Sequence, residues 1–273
     1  RIRGRATEIV GTTRSEEKAD DLCRSGIRGL VADDSAYSPV LGDAIRSATH
    51  IVVSAAPGAG GDPFLAHYER DVAHAERLEW IGYLSTIGVY GDHDGAWIDE
   101  RAACRPTNDR GEWRLEAEAR WSALGHRMQV PVGIFRLAGI YGPGRNQLRA
   151  LAEGKARRVV KPGQVFNRIH VEDIAQTLEA AIERPAARVY NVTDDEPAPP
   201  QDVVMYAAEL MGVEPPPAIA FEEAEMSPMA RSFWGDVKRV SNRRIREELG
   251  VSLDYPTYRE GLAELWRSGR WRG

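Results

Sequence analysis

The feature that most constrains the fold is a repeated alternation of short apolar runs with stretches of helical spacing. "TEIVGTTR", "IRGLVADD", "THIVVSAAPG" and "EWIGYLST" read as strands. "EEKADDLCRSG", "LGDAIRSA" and "FLAHYERDVAHAERL" between them read as helices, the first closed at Gly26. "DRGEWRLEAEARWSALG" is predicted as a further helix and "VPVGIFRLAGIYG" as a further strand. The strand runs are apolar throughout rather than alternating, the pattern of parallel strands covered on both faces in βαβ units. The pattern predicts an α/β fold, a doubly wound parallel sheet with a smaller C-terminal lobe. Residues 1–145 read as the main domain, to which 169–195 returns, and 146–168 with 196–273 read as the lobe. In such sheets ligands sit beyond the carboxyl ends of the strands. Those ends are "GTTR", "ADD", "SAAP", "STIGVYG" and "RLAGIYGPG", all polar or glycine-rich.

Composition narrows the partners. No apolar run in the 273 residues approaches the roughly 18 needed to span a membrane, and "RIRGRATEIV" has no signal-peptide core. The only cysteines are Cys23 and Cys104, too few for a disulfide framework, so a reducing cytoplasm is expected. A net charge of −5 argues against nucleic acid as the partner. Asp92, His93 and Asp94 read as turn chemistry, with no second ligand cluster to make a metal site.

The sequence lacks a G-x-G-x-x-G turn after a first strand. "GAGG" at 58–61 has the wrong spacing and follows the wrong strand. Without a central first strand the sheet would carry a hole with unpaired backbone on both flanks. The expectation is that roughly 15 to 25 residues, one strand and one helix, precede Arg1 in the polypeptide.

Taken in order, "VVSAAP", "YLSTIGVYG", "RLAGIYGPGR", "RIHVEDIA" and "VYNVTDDEP" resemble the extended short-chain dehydrogenase/reductases, the NAD-dependent epimerase/dehydratase family, and closest its atypical members. The resemblance runs from about residue 6 to the C-terminus. It implies a Rossmann domain that binds NAD(P), a lobe that meets the substrate, and hydride transfer at the nicotinamide. Ser54, Ala55, Ala56 and Pro57 match the stretch beside the cofactor's phosphates and ribose. Thr12, Thr13 and Arg14 match the segment that reads the adenosine ribose. The acid usual in NAD-binding members is missing there, and an arginine suits the 2′-phosphate of NADP, so NADP is expected, with NAD as the alternative. Asp33 matches the acid near the adenine. Ser85 or Thr86 would donate to a substrate oxygen. Tyr141, Arg145 and Arg168 match substrate-side positions.

In that family the helix after the "STIGVYG"-type segment opens with Tyr-x-x-x-Lys. Here "RPTNDRGEWRLEAE" puts Arg110 at the tyrosine position and Arg114 at the lysine position. Four residues apart, they share one helix face. A guanidinium with a pKa above about 12 cannot act as a general base near neutral pH. Arg114 retains the means to hold a ribose hydroxyl, and Arg110 to clamp a carboxylate or phosphate. Tyr90 is the alternative proton carrier, with Tyr141 behind it. Seven Lys or Arg (Arg145, Arg149, Lys155, Arg157, Arg158, Lys161, Arg168) against Glu153 between Gly144 and His170 suggest an anionic small-molecule substrate. The expectation is an enzyme of this family with a rebuilt catalytic pair, compatible with a homodimer. The rival reading is a non-catalytic NAD(P)-binding redox sensor or interaction module.

Overall fold

The computed structural model describes residues 4–32 and 36–273. The chain begins β1 (Val10–Thr13), α1 (Glu16–Arg24), β2 (Arg28–Val31), α2 (Pro39–Ser47), β3 (His50–Val53) and α3 (Pro63–Ala73). It continues β4 (Trp80–Thr86), a 3-10 turn (Ile87–Tyr90), β5 (Trp97–Ile98), α4 (Asp109–Met128), β6 (Val132–Leu137) and β7 (Gly139–Tyr141). Then come α5 (Gln147–Ala152), β8 (Arg158–Val160), β9 (Arg168–His170), α6 (Val171–Glu183), β10 (Arg188–Val192) and α7 (Pro200–Met211). The last elements are β11 (Ala218–Ala220), α8 (Pro228–Ser232), β12 (Arg239–Val240), α9 (Arg243–Glu247) and α10 (Tyr258–Ser268).

Three helices start where a side chain caps them clearly. Ser15 accepts from the backbone N–H of Lys18, and Glu16 and Glu17 follow it at the positive end of the α1 dipole. Asp62 accepts from the N–H groups of Phe64 and Leu65, with Pro63 in the first turn of α3. Thr257 and Glu260 form a capping box on α10.

The main sheet is parallel, in the order β10-β6-β4-β3, and all six residues of β6 are buried, as a central strand requires. β1 and β2 pair in parallel as a separate two-stranded sheet. Among the described residues β1 pairs only with β2 and β3 only with β4, and Val52 on β3 is 46% exposed.

The run "VPVGIFRLAGIYG", expected as one strand, is two. Ala138 still donates to Val192, but Gly139 donates to Asn167 and opens β7, which pairs with β9. The basic stretch after residue 146 contains α5 and β8. No described helix is long and apolar enough to cross a membrane.

Contacts divide the chain into two compact units. The first comprises Arg1–Ser85, Glu112–Ile134 and Ala181–Arg188, and the second Thr86–Gly111, Phe135–Ala180 and Val189–Gly273.

Candidate functional site

In the first unit, Thr12, Arg14, Ser54 and Ala56 are exposed at the carboxyl ends of β1 and β3, while Thr13, Ala55 and Pro57 are half-buried. Arg14 forms no ion pair with a carboxylate among the described residues. Hydroxyls, small side chains and an open guanidinium are a donor set that fits the ribose and phosphate of a dinucleotide. Asp33 lies outside the described residues.

Behind this edge is a polar chain that joins β4 to α4. Ser85, 4% exposed, donates to Glu118 Oε1 at 2.5 Å. Arg114 donates to the Leu84 carbonyl and lies over the Tyr83 ring, its Nη1 3.5 Å from the Tyr83 hydroxyl. Tyr83 stacks on Trp121, whose indole N–H donates to Asp62 Oδ2 at 2.9 Å. Asp62 therefore caps α3 with one oxygen and holds Trp121 with the other. Burial pushes the Tyr83 hydroxyl up to about 12 against the pull of Arg114, so it stays protonated. Glu118 and Asp62 were not among the sequence candidates. Glu118 was findable, since Arg110, Arg114 and Glu118 recur every four residues along one face of α4.

Ser85, expected as a substrate donor, has its hydroxyl proton committed to Glu118. The Thr86 hydroxyl is half-buried and accepts from the N–H of Gly88.

In the second unit, the start of α4 packs closely on the turn after Thr86. A side chain at Gly111 would come within 2.8 Å of Pro106 and 3.4 Å of the Gly88 carbonyl. Arg110, one residue earlier, is exposed, and its Nη1 lies 2.7 Å from the Met229 sulfur. The two arginines thus have different surroundings: Arg114 is fastened to β4, and Arg110 meets no carboxylate among the described residues.

Both tyrosines named as alternative proton carriers are buried. Tyr90 is fully buried, donates to Asn191 Oδ1 at 2.7 Å and lies under the Arg136 guanidinium at 4.7 Å. Burial holds it up at about 12. Tyr141 sits in a core cluster with Leu148, Tyr258 and Leu262, donates to the Thr257 carbonyl, and is raised by burial. Arg168, expected on the substrate, donates to the carbonyls of Phe166 and Ala198. Of the other cations in that stretch, Arg149 and Lys155 share Glu153, while Arg157 and Lys161 bond backbone carbonyls. Arg145 is exposed.

Asp194, also missed by the sequence reading, is 1% exposed, and burial pushes its carboxyl up to about 8 despite nearby Arg168. The folded chain therefore holds a proton there that the unfolded chain, with an ordinary carboxyl near 4, has released. This stabilisation is present below about pH 4 and is lost as pH rises through about 8. Buried His170 is held down to about 4 while the unfolded chain's imidazole titrates near 6.5, so above about pH 7.5 it is neutral in both states and does not contribute. Between about pH 7.5 and 8.5 the urea midpoint should fall with pH in the native protein, and Asp194→Asn should flatten that slope. An unchanged slope in the variant would assign the effect elsewhere.

No family model matches the chain. Protein YeeZ of Escherichia coli K12 is 32% identical over 271 residues, covering 93% of this chain and 90% of that protein. Among solved structures, a functionally unknown conserved protein from Silicibacter pomeroyi is 50% identical, with a TM-score of 0.86 over 96% of this chain and 90% of that one. The UDP-glucuronic acid 4-epimerase of Bacillus cereus, solved with NAD, matches with a TM-score of 0.73 at 16% identity, over 95% of this chain and 89% of that one; this is a likeness of fold. The chain belongs to the same family as Protein YeeZ, and its fold is that of the NAD-dependent epimerases and dehydratases.

Proposed function

We propose that this chain is a nicotinamide-dependent oxidoreductase or epimerase/dehydratase-like enzyme for a small anionic or sugar-like substrate. The observation that carries this reading is α4, where the family's four-residue spacing is kept and Arg114 is fixed to β4 at the residue before Ser85. Thr12, Thr13, Arg14 and the Ser54–Pro57 stretch would hold the cofactor, and Arg14 favours the extra phosphate of NADP over the NAD seen in the Bacillus cereus structure. The bound nicotinamide supplies hydride exchange. The remaining N–H groups of Arg114 hold a ribose hydroxyl, Thr86 donates to the substrate oxygen that gains charge, and Arg110 fixes an anionic group.

Neither arginine moves a proton at neutral pH. With Tyr90 and Tyr141 in the core, that absence favours the second reading, a non-catalytic NAD(P)-binding sensor. Titrating the protein with NADPH and NADH, followed by the fluorescence of its seven tryptophans, tests the common part of both readings. Saturation with NADPH the tighter ligand is expected, and Arg14→Ala should remove the preference. Saturation without turnover across a substrate panel would select the sensor. Binding of neither nucleotide would overturn both.

A further inference from the structure

We propose that Arg110, Met229 and Phe233 form a recognition surface for a small molecule with a single carboxylate on an apolar or aromatic body. The proposal deepens the reading above and rests on it for its place in an enzyme, though not for the binding itself.

Arg110 is an exposed cation whose recorded partner among the described residues is a sulfur, not a carboxylate. Other arginines on this surface are paired with carboxylates, as Arg149 with Glu153, Arg246 with Asp195 and Arg270 with Glu172 show. Beside Arg110 the segment that carries α8 is tied down twice, by the Met229 contact and by Thr107, which donates to Asp236 Oδ1 at 2.9 Å. Met229 and Phe233, four residues apart with helical backbone between them, share one face and are 50% and 59% exposed. Two large apolar side chains open to solvent beside an unpaired guanidinium match an amphipathic anion: the apolar body covers Phe233 and Met229, and the carboxylate takes the guanidinium fork.

Local charge selects among anions. Residues 221–236 carry Glu222, Glu223, Glu225 and Asp236 against Arg231, and Arg231 is occupied by the Ala224 carbonyl and the Phe221 ring. A nucleoside diphosphate brings two or more charges into this acidic setting and finds one guanidinium. A monocarboxylate is neutralised by Arg110 alone.

The test is calorimetric titration with cinnamate, its neutral isostere cinnamamide, and UDP, on the native protein and on Arg110→Gln, Arg110→Lys and Phe233→Ser. Cinnamate should bind at least about tenfold tighter than cinnamamide. Arg110→Gln should bring the two within about twofold, Arg110→Lys should keep part of the difference, and Phe233→Ser should weaken both. All three substitutions are at exposed positions, and an unchanged thermal midpoint verifies that the variants fold. Equal binding of cinnamate and cinnamamide, binding of neither, or tighter Arg110-dependent binding of UDP overturns the proposal. NADH and NADPH titrations of the same samples separate the two readings. Arg110-dependent cinnamate binding without nucleotide binding sinks the nicotinamide enzyme and leaves this surface standing. Nucleotide binding without cinnamate discrimination does the reverse.

Discussion

Trp121→Ala should destabilise the protein by at least about 4 kcal/mol, the sum of two losses. Truncating a buried tryptophan costs about 3–5 kcal/mol through lost transfer energy and the cavity left behind. Trp121 is fully buried, stacked on Tyr83 with ring centroids 6.1 Å apart and tilted against Phe64 at 5.8 Å. The second loss is the indole N–H to Asp62 Oδ2, without which a carboxylate 1% exposed loses a donor, worth about 1–3 kcal/mol. Against a typical total stability of about 5–15 kcal/mol, the variant should be close to unfolded at 37 °C. Trp121→Phe separates the terms, because it retains most of the ring packing and loses the N–H. Urea unfolding of both variants checks the account. A loss under about 1.5 kcal/mol for the alanine variant would mean that the ring is not held as described.

Gly91→Ala is expected to have a smaller effect on stability but to reach the site as well. Gly91 has φ 67° and ψ −150°, a combination close to glycine-only backbone, where another residue costs about 1–3 kcal/mol in strain. A Cβ there would lie 1.8 Å from the Arg105 carbonyl oxygen, so backbone must move. The Gly91 carbonyl also accepts from the buried Lys238 ammonium at 2.6 Å, and the Gly91 turn is bonded through Asp92 to the N–H of Val237. Displacing Arg105 shifts the loop that delivers Arg110, and displacing residues 237 and 238 shifts the segment just past α8. The variant should lose stability by about 2–4 kcal/mol and lose Arg110-dependent discrimination of ligands at temperatures where it is still folded. Loss of stability with discrimination intact would show that the turn supports the fold alone.

Much of the architecture was legible in the sequence because parallel strands and their helices obey local rules. Apolar runs of the right length, Ser15 and Asp62 before helices, and Gly26 after one are signals a chain carries in consecutive residues. The absence of a glycine-rich G-x-G-x-x-G turn was legible in the same way. The one-strand reading of 132–141 failed because the change of partner at Gly139 is set by the Asn167 carbonyl, nearly thirty residues away.

By itself the sequence determined the strand–helix order, the strand ends where chemistry could sit, and that the two arginines four residues apart on α4 cannot serve as bases. Residue type settles that last point, since no environment makes a guanidinium a useful base near neutral pH. Only the tertiary structure decided which of the candidate side chains are open. Ser85 faces Glu118, Tyr90 faces Asn191, Tyr141 lies among the residues of α7 and α10, and Arg114 is fastened to Leu84 while Arg110 is not. A side chain's identity states what bonds it can make; burial and partners tens of residues away decide which bonds are already made, and that information is not local.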